Sequence, residues 1–488
     1  MAHIAYVCIS DMHLGAESSL LTNLSSNSLG TNLLHASPVL EWLIDCLRTI
    51  VPPNSEEKPT LVLNGDILEL DLAADNEAAM AFERFLELIM PAGGGWLFKQ
   101  LLFIPGNHDH HLWESARELQ YSNYIQYNPN QQQSKVLAVP WHATKMDNPF
   151  NQHLVGPKNR PVPATFLNAI ISRHLPPNQH ACVDTVYPNL ALFNSNGSRC
   201  VIISHGHFIE PAYTLMSTIN CMLFSDAVRP TLPWDLEAQN FAWIDFIWST
   251  LGRSADVGRD MELVYDKFQN KKQRDRLLGN LFTGLSKTKG SSNCLGWWKA
   301  KLMKILFTLC KCLLPRLVPL EKYRRDAFLG RQAQDGLNEY MQGPVLNQFE
   351  TEYSRSIPSD VTFVFGHTHK PFQKFMVFNE YPSDVSVYNS GGWVVDTTCV
   401  EPLHGGALIV IDEDLNVVSL RMYNEAKDRD KYAVKVQDLT PSGAARSSLC
   451  VEMQDLVCPG KSPWSDFSQC VYEERPRRVK NLNYKIRA

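Results

Sequence analysis

Five short apolar runs, each stopped by a small polar cluster, constrain this chain more than any other feature. They are Ile4–Ser10 before Asp-Met-His, Leu61–Leu63 before Asn-Gly-Asp, Leu101–Pro105 before Gly-Asn-His-Asp, Val201–Ser204 before His-Gly-His, and Val361–Phe365 before Gly-His-Thr-His. Continuous apolar runs of this length read as strands buried on both faces. Helical patterns at Pro38–Ile50 and Asn76–Met90 separate the early ones. Strand, loop, helix and strand in that order predict an α/β fold, with its polar clusters on loops at the carboxyl ends of the strands. All five clusters then converge on one rim.

Later segments extend this plan. Ser386–Val395 and Ala407–Met422 read as further strands, the second joined as a hairpin around Asp412–Asn416. Val136–Val139 reads as a strand inside a loop-rich stretch. Residues 208–358 break the strand pattern and look mainly helical, too long a break for a plain loop. The expected division is a core of residues 1–207 and 359–434, a helical insertion at 208–358, and a tail at 435–488. The tail ends in the basic run Glu473–Arg487 and is expected to be peripheral or partly disordered.

Bulk properties exclude several classes. A net charge of −5 over 488 residues gives no nucleic-acid footprint, so no specific nucleic acid is expected. The start lacks the basic and apolar regions of an export signal. The twelve cysteines contain no C-x-x-C pair, which fits reduced thiols and a cytoplasmic setting. No uncharged apolar run reaches about 18 residues, so a spanning helix is not expected.

The side chains closing the five strands are Asp11, His13, Asp66, Asn107, His108, Asp109, His205, His207, His367 and His369. Carboxylates, imidazoles and one amide oxygen suit borderline divalent ions such as Mn, Fe or Zn, whereas oxygen-only ligation would point to Mg or Ca. Seven of these side chains, Asp11, His13, Asp66, Asn107, His205, His367 and His369, are too many for one ion but serve two if one carboxylate bridges. Two-metal sites clamp the attacking and leaving oxygens of a displacement and lower the pKa of bound water. Taken singly, a strand-end Asp or a surface His is usually a capping or solvated group. Jointly, that reading needs five accidents in a row.

The order Asp11-Met-His13, Gly65-Asp66, Gly106-Asn107-His108-Asp109, His205-Gly-His207 and Gly366-His367-Thr-His369 resembles the calcineurin-like metallophosphoesterase family. The resemblance covers about residues 1–207 and 359–422. It implies a layered β-sandwich core flanked by helices. It implies two divalent metals, manganese favoured over Fe, Zn or Mg, and hydrolysis of a phosphomonoester or phosphodiester by metal-bound hydroxide. Asp11, His13 and His369 would hold the first metal, Asp66 would bridge, and Asn107, His205 and His367 would complete the second. His108 would stabilise phosphoryl charge and protonate the leaving oxygen, and Asp109 would orient the His108 ring. For His207 a substrate contact and a structural hydrogen bond stand level. His110 and His111 read as loop residues near the entrance. His3, His35, His142, His153, His174, His180 and His404 read as ordinary histidines. Asn389-Ser-Gly-Gly is a candidate for the pocket lining.

One branch of the family, the UDP-diacylglucosamine pyrophosphohydrolases, combines this core with a helical cap for acyl chains, and the insertion fits it. That branch usually has Arg where His108 stands, and the departure favours a general phosphatase or phosphodiesterase. A non-catalytic scaffold of the same fold would be expected to have lost ligands, and none is lost. Within the insertion, residues 251–330 hold 17 Lys/Arg against 7 Asp/Glu. At 100° per residue, Lys301, Lys304, Thr308 and Lys311 share one stripe of 295–320, opposite Trp298, Leu302, Ile305, Leu306, Leu309 and Leu313. Three readings stand open. The stretch lies in a membrane or lipid interface, packs as a cap helix with its lysines in water, or draws an anionic substrate inward.

Overall fold

The computed structural model describes residues 3–127, 145–147, 162–250, 321–353, 356–441 and 443–487. The expected strand at Val136–Val139 and the basic amphipathic stretch at 295–320 lie outside these residues.

All five apolar runs are strands. β1 (Ile4–Ile9), β2 (Thr60–Asn64) and β3 (Gln100–Ile104) pair parallel to one another. They join β5 (Val162–Pro163), β6 (Val183–Thr185), β12 (Gly405–Asp412), β13 (Val417–Asn424) and β14 (Lys435–Asp438) in an eight-stranded sheet ordered β14-β13-β12-β1-β2-β3-β6-β5. A six-stranded sheet has the order β10-β11-β9-β8-β7-β4. Its members are β4 (Lys145–Asp147), β7 (Asn189–Phe193), β8 (Arg199–Ser204), β9 (Asp360–Phe365), β10 (Phe372–Met376) and β11 (Val385–Asn389).

Side-chain alternation decides which layer each residue enters. Tyr6 and Cys8 of β1 join Val62, Ile104, Leu190, Leu192, Ile203 and Val364 in an apolar layer between the two sheets. Val7 and Ile9 point the other way, into a core shared with α1 (Pro38–Ile50) and α2 (Asp75–Ile89). The outer face of the six-stranded sheet packs against helices of the insertion, through Leu236, Leu337, Tyr340 and Phe349 against Phe193, Ile202 and Phe363. The architecture is therefore two stacked sheets with helices on both outer faces, the layered α/β plan expected from the sequence.

The helix signals were local. Ser37 caps α1, its hydroxyl accepting from the Val39 N–H at 3.2 Å, and Pro38 takes the first helical position. Val39, Leu40, Leu43, Ile44, Leu47 and Ile50 then form one buried stripe. In the described part of the insertion lie α5 (Leu215–Leu223), α6 (Pro233–Ile244) and α7 (Arg331–Tyr340). Two further helices precede them in the chain, α3 (His110–Tyr127) and α4 (Thr165–His174). Among the described residues no helix is long and apolar enough to cross a membrane.

The tail departs from expectation. Rather than lying at the periphery, it forms α8 (Ser448–Leu456) and α9 (Trp464–Arg487), and α9 packs on α1. Trp464, Phe467 and Val471 recur at helical spacing and enter the core beside Leu43 and Leu47. The basic residues that follow are anchors. Arg478 is buried, ion-paired with Glu474, and donates from Nε to Ser19 O at 3.0 Å and from Nη2 to Thr22 O at 2.6 Å. Asn481 Nδ2 donates to Glu17 Oε2 and Ser28 O. Charge density in the sequence concealed an apolar stripe whose polar flank holds the loop after His13. Trp464→Ala is expected to cost about 3–5 kcal/mol, as for other buried Trp truncations, read as a lowered urea midpoint at unchanged slope.

Candidate metal centre

The five polar clusters meet at the carboxyl ends of β1, β2, β3, β8 and β9. Asp11, His13, Asp66, Asn107, His205, His367 and His369 are all buried there. Asp11, His13 and His369 offer ligand atoms within 4.8 Å of one another, and so do Asp66, His205 and His367. Asp66 links the two groups, because its Oδ2 lies 3.8 Å from His13 Nε2 and 3.2 Å from His205 Nε2. Asn107 Oδ1 stands 3.2 Å from His205 Nε2, and Asp11 Oδ1 stands 3.4 Å from His369 Nε2.

The backbone is bent to make this convergence. Eight described non-glycine residues have positive φ, and five of them are ligand candidates: Asp11 (50°), His13 (45°), Asp66 (51°), His367 (67°) and His369 (56°). That conformation costs about 1–2 kcal/mol for an L-residue, so its concentration here marks a site where geometry is held against local preference. Glycine is required where loops cross. A Cβ on Gly366 would collide with the Asp11 carboxylate and with Ser10, and Gly65, at φ +79°, faces the His205 ring at the same closeness. Behind the loops, Asn389 donates to Gly366 O at 2.8 Å and Ser390 Oγ meets Ser10 Oγ at 2.6 Å. The Asn389-Ser-Gly-Gly segment thus supports the ligand loops.

The electrostatics suit a cation. Burial alone would raise the Asp66 carboxyl, but His205 and His108 outweigh it and hold the group well below its usual range. Burial likewise opposes charging His205 and His369, yet Asp66 lifts the first to about 9 and Asp396 lifts the second to about 10. In the bare protein these rings hold protons that a bound metal would displace. Buried His13 Nε2 and His367 Nε2 have no hydrogen-bond partner, though Glu210 Oε1 lies 3.0 Å from the latter at an angle unsuited to a bond. Two orphaned imidazole nitrogens among carboxylates are what a divalent metal would satisfy. The residues present fit such ions.

One expected role is corrected. Asp109 does not touch the His108 ring. The turn sends its carboxylate back onto the N–H groups of Gly106 and Ile67, both at 2.7 Å, so it fixes the loop. The ring is held instead by Glu69, whose Oε1 lies 3.0 Å from His108 Nδ1 and whose Oε2 lies 2.8 Å from His13 Nδ1. Burial would lower His108, but Glu69 and Asp66 raise it to about 9. Asp396 performs a similar service at the far end, 2.7 Å from His369 Nδ1. His404, read as ordinary, is buried with Nδ1 3.7 Å from the same Asp396. Neither carboxylate stood out in the sequence, although Glu69 follows Asp66 by only three residues. Glu69→Gln is expected to weaken metal binding and activity by about 10–100-fold. Without the anion His108 loses its proton sooner, so the alkaline limb of the kcat profile should move to lower pH. A manganese titration and a pH profile check both.

The remaining histidines sort differently. His207 is buried with Nε2 3.0 Å from the Tyr187 hydroxyl, a structural bond. The crevice over the ligands is lined instead by Asp66, Asn107, His108, Glu210, Tyr213, Lys322, His367 and His369. Three of these, Glu210, Tyr213 and Lys322, belong to the insertion and were not singled out by their sequence context. His110 and His111 are not loop residues. They open α3, with His110 fully buried.

A fold of two stacked sheets with buried Asp, His and Asn ligands on one rim defines a metal-dependent phosphoesterase core. Residues 4–210 match the model of the calcineurin-like phosphoesterase family. No curated protein sequence matches it. Among solved structures it is similar to a phosphopantetheinyl hydrolase from Mycobacterium tuberculosis, at 11% identity and a TM-score of 0.25, covering 80% of this chain and 90% of that one. A likeness that remote says nothing about the substrate here.

Proposed function

We propose that the chain hydrolyses a phosphomonoester or phosphodiester with two divalent metal ions. Asp11, His13 and His369 would hold one and Asn107, His205 and His367 the other, with Asp66 shared. The observation that carries this reading is the single Asp66 oxygen facing both His13 and His205. Bound there, the ions would supply an acidified water and neutralise phosphoryl charge. The chain's own residues do the rest. His108, kept protonated by Glu69, gives its proton to the departing oxygen. Lys322 adds positive charge to the crevice wall. His13 and His369 are held in one ring orientation by Glu69 and Asp396. Protein stripped of metal and reloaded with Mn²⁺ is expected to hydrolyse p-nitrophenyl phosphate or bis-p-nitrophenyl phosphate, and chelator should abolish the activity. Inactivity on both esters together with failure to retain metal would point to a scaffold instead.

A further inference from the structure

A second buried group of ligating side chains lies away from the crevice. His110 and Glu114 stand one turn apart on α3, and Glu237 reaches them from α6. A ring nitrogen of His110 and one oxygen from each glutamate lie within 4.8 Å of one another. His110 is fully buried, yet neither of its ring nitrogens has a hydrogen-bond partner, and Glu114 Oε1 is also unpartnered. Buried polar atoms are rarely left so.

The other contacts leave the cluster short of positive charge. Arg117 Nη2 donates to Glu114 Oε2 at 2.7 Å, and its Nη1 lies 3.3 and 3.4 Å from the two Glu237 oxygens. Trp113 Nε1 donates to Glu237 Oε1 at 3.1 Å. Asp245, paired with His111 at 3.0 Å, is near enough to act electrostatically on both His110 and Glu114. Burial, with Glu237 and Asp245 close by, pushes the Glu114 carboxyl up to about 8 against the pull of Arg117, a crowding of carboxylates that a divalent cation would relieve. An imidazole with two carboxylates is a ligand set that zinc accepts.

We propose that His110, Glu114 and Glu237 bind a further divalent cation of the zinc class, distinct from the pair in the crevice. Its ligands come from the core helix that begins two residues after His108 and from a helix of the insertion. The ion therefore fastens the insertion to the core beside the catalytic loop. Ser249 makes a neighbouring tie of the same kind, its hydroxyl donating to Asn107 O at 2.6 Å.

The test is metal content of the full chain, loaded with Zn²⁺, desalted, and measured by mass spectrometry. Wild type should retain three equivalents, Glu237→Gln two, and an Asp11→Ala/Asp66→Ala variant one. In that last background Zn²⁺ should still raise Tm by a few degrees, and adding Glu114→Gln should remove the rise. This arm needs no variant of His110, whose loss could unfold α3. Two equivalents in both wild type and Glu237→Gln would overturn the proposal and leave a proton shared by the glutamates. Three in both would overturn it by placing the extra ion elsewhere. Loss of one equivalent in Glu237→Gln, with none lost in Asp11→Ala/Asp66→Ala, would uphold this site and sink the crevice pair.

Discussion

Asp66→Asn is expected to lower kcat/KM by at least about 1,000-fold, the scale of removing a main electrostatic stabiliser from an active site. The replacement keeps shape and tolerates the left-handed backbone that Asp66 adopts at φ 51°. It can still accept the His108 N–H, which reaches Asp66 Oδ1 at 2.7 Å. What it removes is the negative charge facing His13 and His205 together. The loss should therefore appear in activity and metal retention while circular dichroism and the Tm of the metal-free protein stay near wild type. A variant within tenfold of wild type would show that Asp66 is not shared by two ions.

His108→Ala should be nearly as damaging, but selectively. A general acid contributes about 100- to 10,000-fold where the leaving oxygen needs a proton. An alkyl phosphate needs one, whereas p-nitrophenolate departs readily without it. The variant should thus lose most activity on the alkyl ester and far less on the nitrophenyl ester. Equal losses on both would assign His108 to stabilising phosphoryl charge alone. No loss on either would remove it from the chemistry. The geometry behind the first outcome is the Glu69 carboxylate, which fixes the ring and keeps it charged.

The strands and the convergence of their ends were legible because buried parallel strands need unbroken apolar runs and their loops need glycine at the turns. Asp11, His13, Asp66 and Asn107 could be read from those boundaries alone. Glu69 and Asp396 could not, since neither a carboxylate three residues past Asp66 nor one 27 residues past His369 shows its partner until the chain folds it back. Asp109 misled for the converse reason. Neighbours in sequence suggested contact, but a tight turn aims adjacent side chains apart, and its carboxylate instead satisfies the N–H groups of Gly106 and Ile67. In α9 the spacing of Trp464, Phe467 and Val471 was available and was outweighed by the basic run after it. His110 reads as a loop residue near the entrance because a polar cluster gives no sign of where a helix begins.

Two bound cations would share one oxygen of Asp66. Crystals of the manganese-loaded protein, measured at the manganese absorption edge, test it most directly. The expected map has two anomalous peaks about 3.5–4 Å apart, one beside Asp11, His13 and His369, the other beside Asn107, His205 and His367, with Asp66 touching both. A single peak, or two peaks of which only one contacts Asp66, would contradict it.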